Sequence, residues 1–391
     1  MTNKYSFHQK VFIAFSLLLI VVFTSFSSLR AQRLLNGSIM VDGVKRTYKV
    51  YIPFGYRPSK EVPLLLNFHG YTMNAELMVR YAEFRPIANR EKFIVVYPQG
   101  LEDLTGTTHF NVGWGNSTID DLAFATALLD KIEATYNIDK KRIYSTGFSN
   151  GGFFSYKLAC ELSGRIAAIA SVAGSVTRGQ FENCSTLHQM PILEIHGTND
   201  DTVDYNGDDL FTPIPDVLSY WVNFNNTRST PETRRIRNKA WWDGSTVTEF
   251  IYSGGDNGAI VKHFRVNNGG HSWPGTFFPL GTNYDINASK EVWDFLSQYN
   301  IEGLISNENK NPENPEREAI PLSFYFDQNS QILAVDHIIN DEQSYTVVSM
   351  EGKIVDKGLL YEGNNYLSFS GLANGMYVLA TGEHTYKFFK R

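Results

Sequence analysis

The chain has 391 residues, 42% of them hydrophobic and 14% aromatic, with a formal net charge of −6 at pH 7. At ~100–200 residues per domain, that length predicts two or three domains, at least one with a large core. The acidic balance supplies no basic surface for nucleic acid, so no nucleic-acid partner is expected.

At the N-terminus, Lys4 and Lys10 precede the apolar run VFIAFSLLLIVVF and the small-residue stretch SFSSLRA. This pattern predicts a signal peptide over residues 1–31, cut before Gln32 or elsewhere in SFSSLRA. A permanent signal anchor is the alternative. The apolar run is shorter than the ~20 residues that cross a bilayer, so no stable membrane span is expected after processing. Export would carry Cys160 and Cys184, the two cysteines of the chain, into an oxidising compartment. One disulfide is expected there, and two free buried thiols are the alternative.

From residue 32 to 304, the runs VPLLLNF, FIVVYP, RIYSTG, IAAIASVAG and PILEIHG are short, apolar and bounded by Gly, Pro or Asn, as buried strands are. Segments of helical period lie between them. In IDDLAFATALLDKIEATY, the residues Leu122, Ala125, Leu129, Ile132 and Tyr136 are expected to share one face. Alternation of this kind predicts an α/β unit, a mostly parallel sheet with helices on both faces. Residues 305–321, with the polar stretch SNENKNPENPEREAIP, read as a linker. Residues 322–391 follow as short strand-like runs (YTVVSM, KIVDKGLLY, YLSFS, MYVLA, YKFFKR) with EG, NN and NG turns, which predicts a small all-β, sandwich-like module.

The stretch STGFSNGG places Ser149 where a buried-strand pattern gives way to a helical one, with glycines two positions to either side. That is the G-x-S-x-G nucleophile elbow, a sharp turn that lifts a serine hydroxyl to the carboxyl edge of a sheet. A serine needs a base, and the base needs an orienting acid, in the chain order Ser, acid, His. His263 lies inside the alternating strand pattern AIVKHFRV and is expected to be structural, whereas His271 lies in the loop NNGGHSWPG and is the candidate base. Asp200, where PILEIHGTND leaves the sheet edge, is the candidate acid, ahead of Asp201 and Asp204. The backbone N–H groups of Asn150 and Tyr71 are the candidate oxyanion donors. His69, beside Tyr71, is expected to bond loop backbone. Phe110, Trp114 and Trp273 are aromatics near these loops, with Trp114 and Trp273 the candidate substrate contacts and loop packing the alternative. His69 and His196 stand alone, so no metal site is expected, and no cofactor fingerprint is present.

HGYTMN, IDDLAFATALLDKI, RIYSTGFSNGG, EIHGTNDDTVDYNG and GGHSWPG, in that order, resemble the secreted polyhydroxybutyrate depolymerase-like esterases of the α/β-hydrolase fold, a family that includes feruloyl and acetylxylan esterases. The resemblance implies a serine carboxylesterase with nucleophile Ser149, acid Asp200 and base His271. It also implies a Cys160–Cys184 bridge, because family members often pair a cysteine on the helix after the nucleophile with one shortly downstream. Plant cell-wall esters or hydroxyalkanoate esters would be the substrates. A peptidase of the same fold, or a silent surface-displayed binding protein, is the alternative. EGKIV, GLANGMYVL and YKFFKR are similar to the C-terminal sorting domains of type IX secretion, which implies the secretion machinery as partner and a secreted or cell-surface destination. FYFDQNS stands where such domains usually open with tyrosine-proline-asparagine-proline. The alternative is a small β accessory domain, such as a carbohydrate-binding one.

Overall fold

The computed structural model describes residues 34–276, 282–305, 323–327, 331–337, 343–360, 363–369, 371–382 and 384–390. The expected signal peptide and residues 306–321 of the expected linker lie outside them.

The larger sheet is built from β1 (Leu34–Val41), β2 (Val44–Tyr51), β3 (Val62–Phe68), β4 (Ile94–Pro98), β5 (Ile138–Phe148), β6 (Ala168–Val172), β7 (Ile192–Gly197), β8 (Glu232–Arg235), β9 (Thr246–Tyr252) and β10 (Val261–Asn267). Its ten strands run in the order β1-β2-β4-β3-β5-β6-β7-β10-β9-β8. From β4 to β10 the neighbours are parallel, while β1, β2, β8 and β9 extend the sheet antiparallel at its two sides. The central strands are apolar without alternation because both faces are covered. Successive residues of β3 show it: Leu64, Leu66 and Phe68 enter one core, Leu65 the other.

The first core is closed by α3 (Asp121–Thr135), α4 (Asn150–Glu161) and α5 (Ile214–Phe224). The second is closed by α1 (Ala75–Tyr81), α2 (Arg85–Glu91) and α6 (Ala288–Leu296). The expected face of α3 packs as a unit: Ala125, Leu129 and Ile132 are buried, and half-buried Leu122 and Tyr136, the latter also the C-cap, pack against the same core, with Asp121, Phe124 and Leu128 buried as well. Asp121 turns inward because Arg46 of β2 meets it at 2.5 Å with both side chains buried. Asp120 takes the capping role, accepting from the Ala123 N–H at 2.8 Å.

In the C-terminal part, β11 (Ser323–Asp327), β12 (Ile332–His337) and β15 (Gly363–Ser368) form one antiparallel sheet. A second joins β14 (Ile354–Leu360), β13 (Gln343–Ser349), β16 (Gly375–Thr381) and β17 (His384–Lys390). Leu333 and Val335 from the first and Val347, Leu379 and Phe388 from the second share one core, the sandwich-like arrangement expected of this module.

Cys160, at the end of α4, is bonded to Cys184, 24 positions on. Closing a loop of that size restricts the unfolded chain, an effect of about 3 kcal/mol in the chain-entropy model. The double substitution Cys160→Ala/Cys184→Ala is expected to lower unfolding stability by about that amount in urea titrations. An unchanged midpoint, or two titratable thiols in the unreduced wild-type chain, would contradict the expectation.

Candidate active site

Ser149 lies between β5 and α4 with φ 53° and ψ −120°, a backbone conformation rare for a residue with a side chain. The surroundings enforce it. Its N–H donates to the Val172 carbonyl at 2.9 Å, and its own carbonyl accepts from Gly152 and Phe153 at 2.7 and 3.1 Å. The flanking glycines are required by contact: a Cβ on Gly147 would come within 2.4 Å of the Gly151 backbone, and one on Gly151 within 2.2 Å of the Phe68 carbonyl oxygen. Side chains there would push α4 away from the sheet edge and move Ser149 with it.

Two strands along, the turn after β7 presents Asp200. Its Oδ1 accepts from the Thr202 and Val203 N–H groups at 2.9 and 2.8 Å, which orients the carboxylate. Its Oδ2 accepts from His271 Nδ1 at 2.8 Å. Asp201 and Asp204 are exposed, and Asp204 accepts from the Asn206 N–H in a local turn. His271 stands on the loop after β10, and its ring packs 4.8 Å from that of Phe148, the residue before Ser149. The structure thus brings Asp200 and His271 into contact at the sheet edge that carries Ser149.

Behind Asp200 lies a group that sequence reading missed. His196 is fully buried, with Nε2 2.8 Å from the Val203 carbonyl and 3.4 Å from Asp200 Oδ2, and Nδ1 3.1 Å from Glu194 Oε1. The Tyr156 hydroxyl donates to the other oxygen of Glu194 at 2.8 Å. Burial alone would drive the His196 pKa down. The bonds to Asp200 and Glu194 outweigh it and raise the pKa to about 10. Burial likewise opposes ionisation of Asp200, yet the bonds from His196 and His271 hold its carboxyl well below the usual range. A period-two signal was available, since Glu194 and His196 share one face of β7, but nothing in the sequence placed Asp200 above them.

Asn150 follows the serine directly, and Tyr71 lies on the loop after β3. A Cβ on Gly70 would lie 3.4 Å from the Phe148 carbonyl oxygen, so the loop after β3 passes close to the elbow. Asn150 is the first residue of α4, so its N–H has no acceptor within the helix. Its side chain does a second job. Nδ2 donates to the Phe110 carbonyl at 2.9 Å and Oδ1 accepts from the Phe110 N–H at 2.7 Å, clamping the loop that carries Trp114. His69 is buried, its Nδ1 donating to the Gly70 carbonyl at 2.8 Å and its Nε2 accepting from the Gly100 N–H at 3.0 Å, the structural role expected of it.

The aromatic candidates divide. Trp114 is half-buried against Tyr71, Phe153 and Phe211, with ring centroids 5.3–5.9 Å apart. Trp273 is a correction: it is 1% exposed, its indole N–H donates to Ser289 Oγ at 3.1 Å and its ring meets Phe84, so the chain past His271 dives into the core and cannot present it to a substrate. Phe110 is likewise fully buried. His263 lies beneath the sheet edge, its Nδ1 donating to the Glu194 carbonyl at 3.0 Å and its Nε2 accepting from the Tyr205 hydroxyl at 3.0 Å. Among the described residues, no group of three or more His, Cys, Asp or Glu could hold a metal ion, and no helix is long and apolar enough to cross a membrane.

A family model described as phospholipase/carboxylesterase matches residues 119–222, from the head of α3 into α5. Together with the sheet order and the elbow, that match decides the fold. It is the α/β-hydrolase fold. This α/β-hydrolase chain is 29% identical, over 70% of its length, to a bifunctional acetylxylan esterase/xylanase of Neocallimastix patriciarum, and 26% identical, over 64%, to feruloyl esterase B of Piromyces equi. It spans 37% and 45% of those two proteins. It is also 31% identical to feruloyl esterase C of Emericella nidulans over 44% of this chain and 61% of that one.

The buried histidines set a pH profile for stability. Burial lowers the His263 pKa to about 3 from 6.5, so below pH 6.5 the unfolded chain binds a proton that the folded chain refuses, and stability falls as pH drops toward 3. His196 acts in the opposite sense: its stabilisation is full below pH 6.5 and is lost as pH rises toward about 10. Denaturant midpoints measured from pH 4 to 10 are expected to fall on both sides. His69, which burial lowers to about 4, adds to the acid limb, so His263→Gln should make that limb shallower without removing it and leave the alkaline one, and an unaltered acid limb would refute the His263 contribution.

Proposed function

We propose that the chain is an exported serine carboxylesterase acting on esters of plant cell-wall polysaccharide. The observation that carries the proposal is the 2.8 Å contact of His271 with buried Asp200 at the sheet edge where the elbow lifts Ser149. With Nδ1–H directed at Asp200, the His271 Nε2 is left as the acceptor for the Ser149 hydroxyl proton. Ser149 Oγ then attacks the ester carbonyl carbon. The developing oxyanion is met by the N–H groups of Asn150 and Tyr71, and the proton on Nε2 passes to the departing alkoxide. Water repeats the sequence on the acyl-enzyme, giving a carboxylic acid and free Ser149. The chemistry needs no cofactor. The feruloyl and acetylxylan esterases among its relatives favour cell-wall esters over hydroxyalkanoates. Trp114, beside Tyr71 and Phe153, is the wall against which a planar aromatic acyl group would rest.

In this reading, residues 1–31 direct export, residues 32–304 catalyse, residues 305–321 link, and residues 322–391 deliver the protein through the outer membrane by type IX secretion. In the native host, deletion of residues 322–391 should leave active enzyme in the periplasm. Equal export of both forms would instead favour an accessory domain.

Alanine at Ser149, Asp200 or His271 is expected to lower kcat by roughly a thousandfold or more on methyl ferulate or acetylated xylan, and the losses should not add, because the groups act as a unit. Near-normal turnover by Asp200→Ala, with loss in Asp201→Ala, would displace Asp200 as the acid. Trp114→Ala should weaken kcat/KM for methyl ferulate by about tenfold and spare small acetyl esters, a split that a merely structural role would not produce.

A further inference from the structure

Trp241 and Trp242 are the most conspicuous apolar residues outside the cores, 78% and 66% exposed, on the loop joining β8 to β9. An indole left this far in water forgoes most of the stabilisation that burying it would bring, and two in succession call for a partner. The loop is not loose. Asp285 Oδ1 accepts from the N–H groups of Lys239 and Ala240 at 2.6 and 3.0 Å, and Asp243 accepts from the Ser245 N–H and hydroxyl at 2.8 and 2.7 Å and from the Tyr284 N–H at 2.9 Å. The two rings stand at 84° to each other with centroids 6.1 Å apart, so each offers a separate face.

The sheet fixes where these faces lie. Thr246, at the start of β9, pairs with Asn267, at the end of β10, so the tryptophan loop leaves the same sheet edge as the loop bearing His271. The two loops share an anchor, because Gly275, four residues past His271, donates to the Asn283 carbonyl at 2.8 Å, next to Tyr284 and Asp285. From β5, which carries Ser149, to β9 is four strand steps in the sheet order, roughly 19 Å at ~4.8 Å per step. Exposed Arg237, Asn238 and Lys239 precede the indoles on the same loop and supply hydrogen-bond donors there. Isolated aromatic faces among polar groups suit a ligand with apolar C–H faces and a rim of hydroxyls, whereas a protein partner would favour a continuous apolar patch.

We propose that Trp241 and Trp242 form a sugar-stacking platform that holds the main chain of a polysaccharide while an ester several sugar rings away reaches Ser149. The choice of polymer rests on the esterase reading above; the platform itself is tested without turnover. In native gels containing soluble arabinoxylan, the full chain carrying Ser149→Ala should be retarded, and adding Trp241→Ala/Trp242→Ala should weaken that retardation by about tenfold in apparent Kd. With Ser149 intact, the double tryptophan variant should hydrolyse methyl ferulate at the wild-type rate, which also reports its folding, and lose activity on feruloylated arabinoxylan. Equal retardation with and without the tryptophans, or none in either, overturns the platform. A concentration-dependent dimer that dissociates in the double variant, without polymer retardation, assigns the indoles to a second copy and overturns it too. Absence of methyl ferulate hydrolysis by the wild type would count against the esterase reading and leave the gel result standing.

Discussion

The elbow depends on backbone touching backbone. At Gly147 and Gly151 the strand, the helix and the loop after β3 approach so closely that no Cβ fits between them. This contact sets the height of α4 above the sheet edge, the strained φ of Ser149 and the approach of the loop after β3 to the elbow. A second approach of the same kind lies two strands along, where a Cβ on Gly197 would sit 2.2 Å from the Gly269 carbonyl oxygen. It draws the turn bearing Asp200 against the loop bearing His271. Both contacts are made by chain ends of neighbouring parallel strands, so the sheet acts as the ruler that spaces Ser149, Asp200 and His271.

Beneath those loops runs a line of polar groups, from Tyr156 through Glu194 and His196 to Asp200 and His271. Burying so many ionisable groups is costly unless each finds a partner. Here His196 donates toward acids on both sides, and Asp200 receives two backbone N–H groups as well. The carboxylate that orients His271 is thereby fixed from below and from the side. His271 bonds Asp200 and packs against Phe148, an arrangement that would suit the base role proposed for it.

Much of this was legible in residue order. Apolar runs between Gly and Pro marked the parallel strands because burial on both faces leaves no alternation to blur them, and the elbow announced itself through glycine spacing that only a sharp turn requires. Asp200 and His271 could be named because each follows a strand end. What could not be read depends on side chains meeting across distant segments. The inward turn of Asp121 follows from Arg46, 75 positions earlier. Trp273 looked like a site residue by its closeness to His271, and Ser289, beyond its own loop, is what takes it into the core. Conversely, WW in NKAWWDGS carries no periodicity, and its exposure is a matter of how Asp243 and Asp285 pin the loop.

The outermost strand on the side of that loop is β8, whose four residues, Glu232 to Arg235, are all exposed. Charged side chains on a short terminal strand discourage another chain from adding itself to the sheet. Arg234 is in addition engaged with Glu249 of β9 at 2.7 Å, turned toward its own sheet. If the chain works on a polysaccharide as proposed, molecules crowded along one polymer would meet flank to flank. A bare β9 there would template strand addition and stack neighbours into aggregates, whereas the short charged border lets them stand side by side as separate molecules.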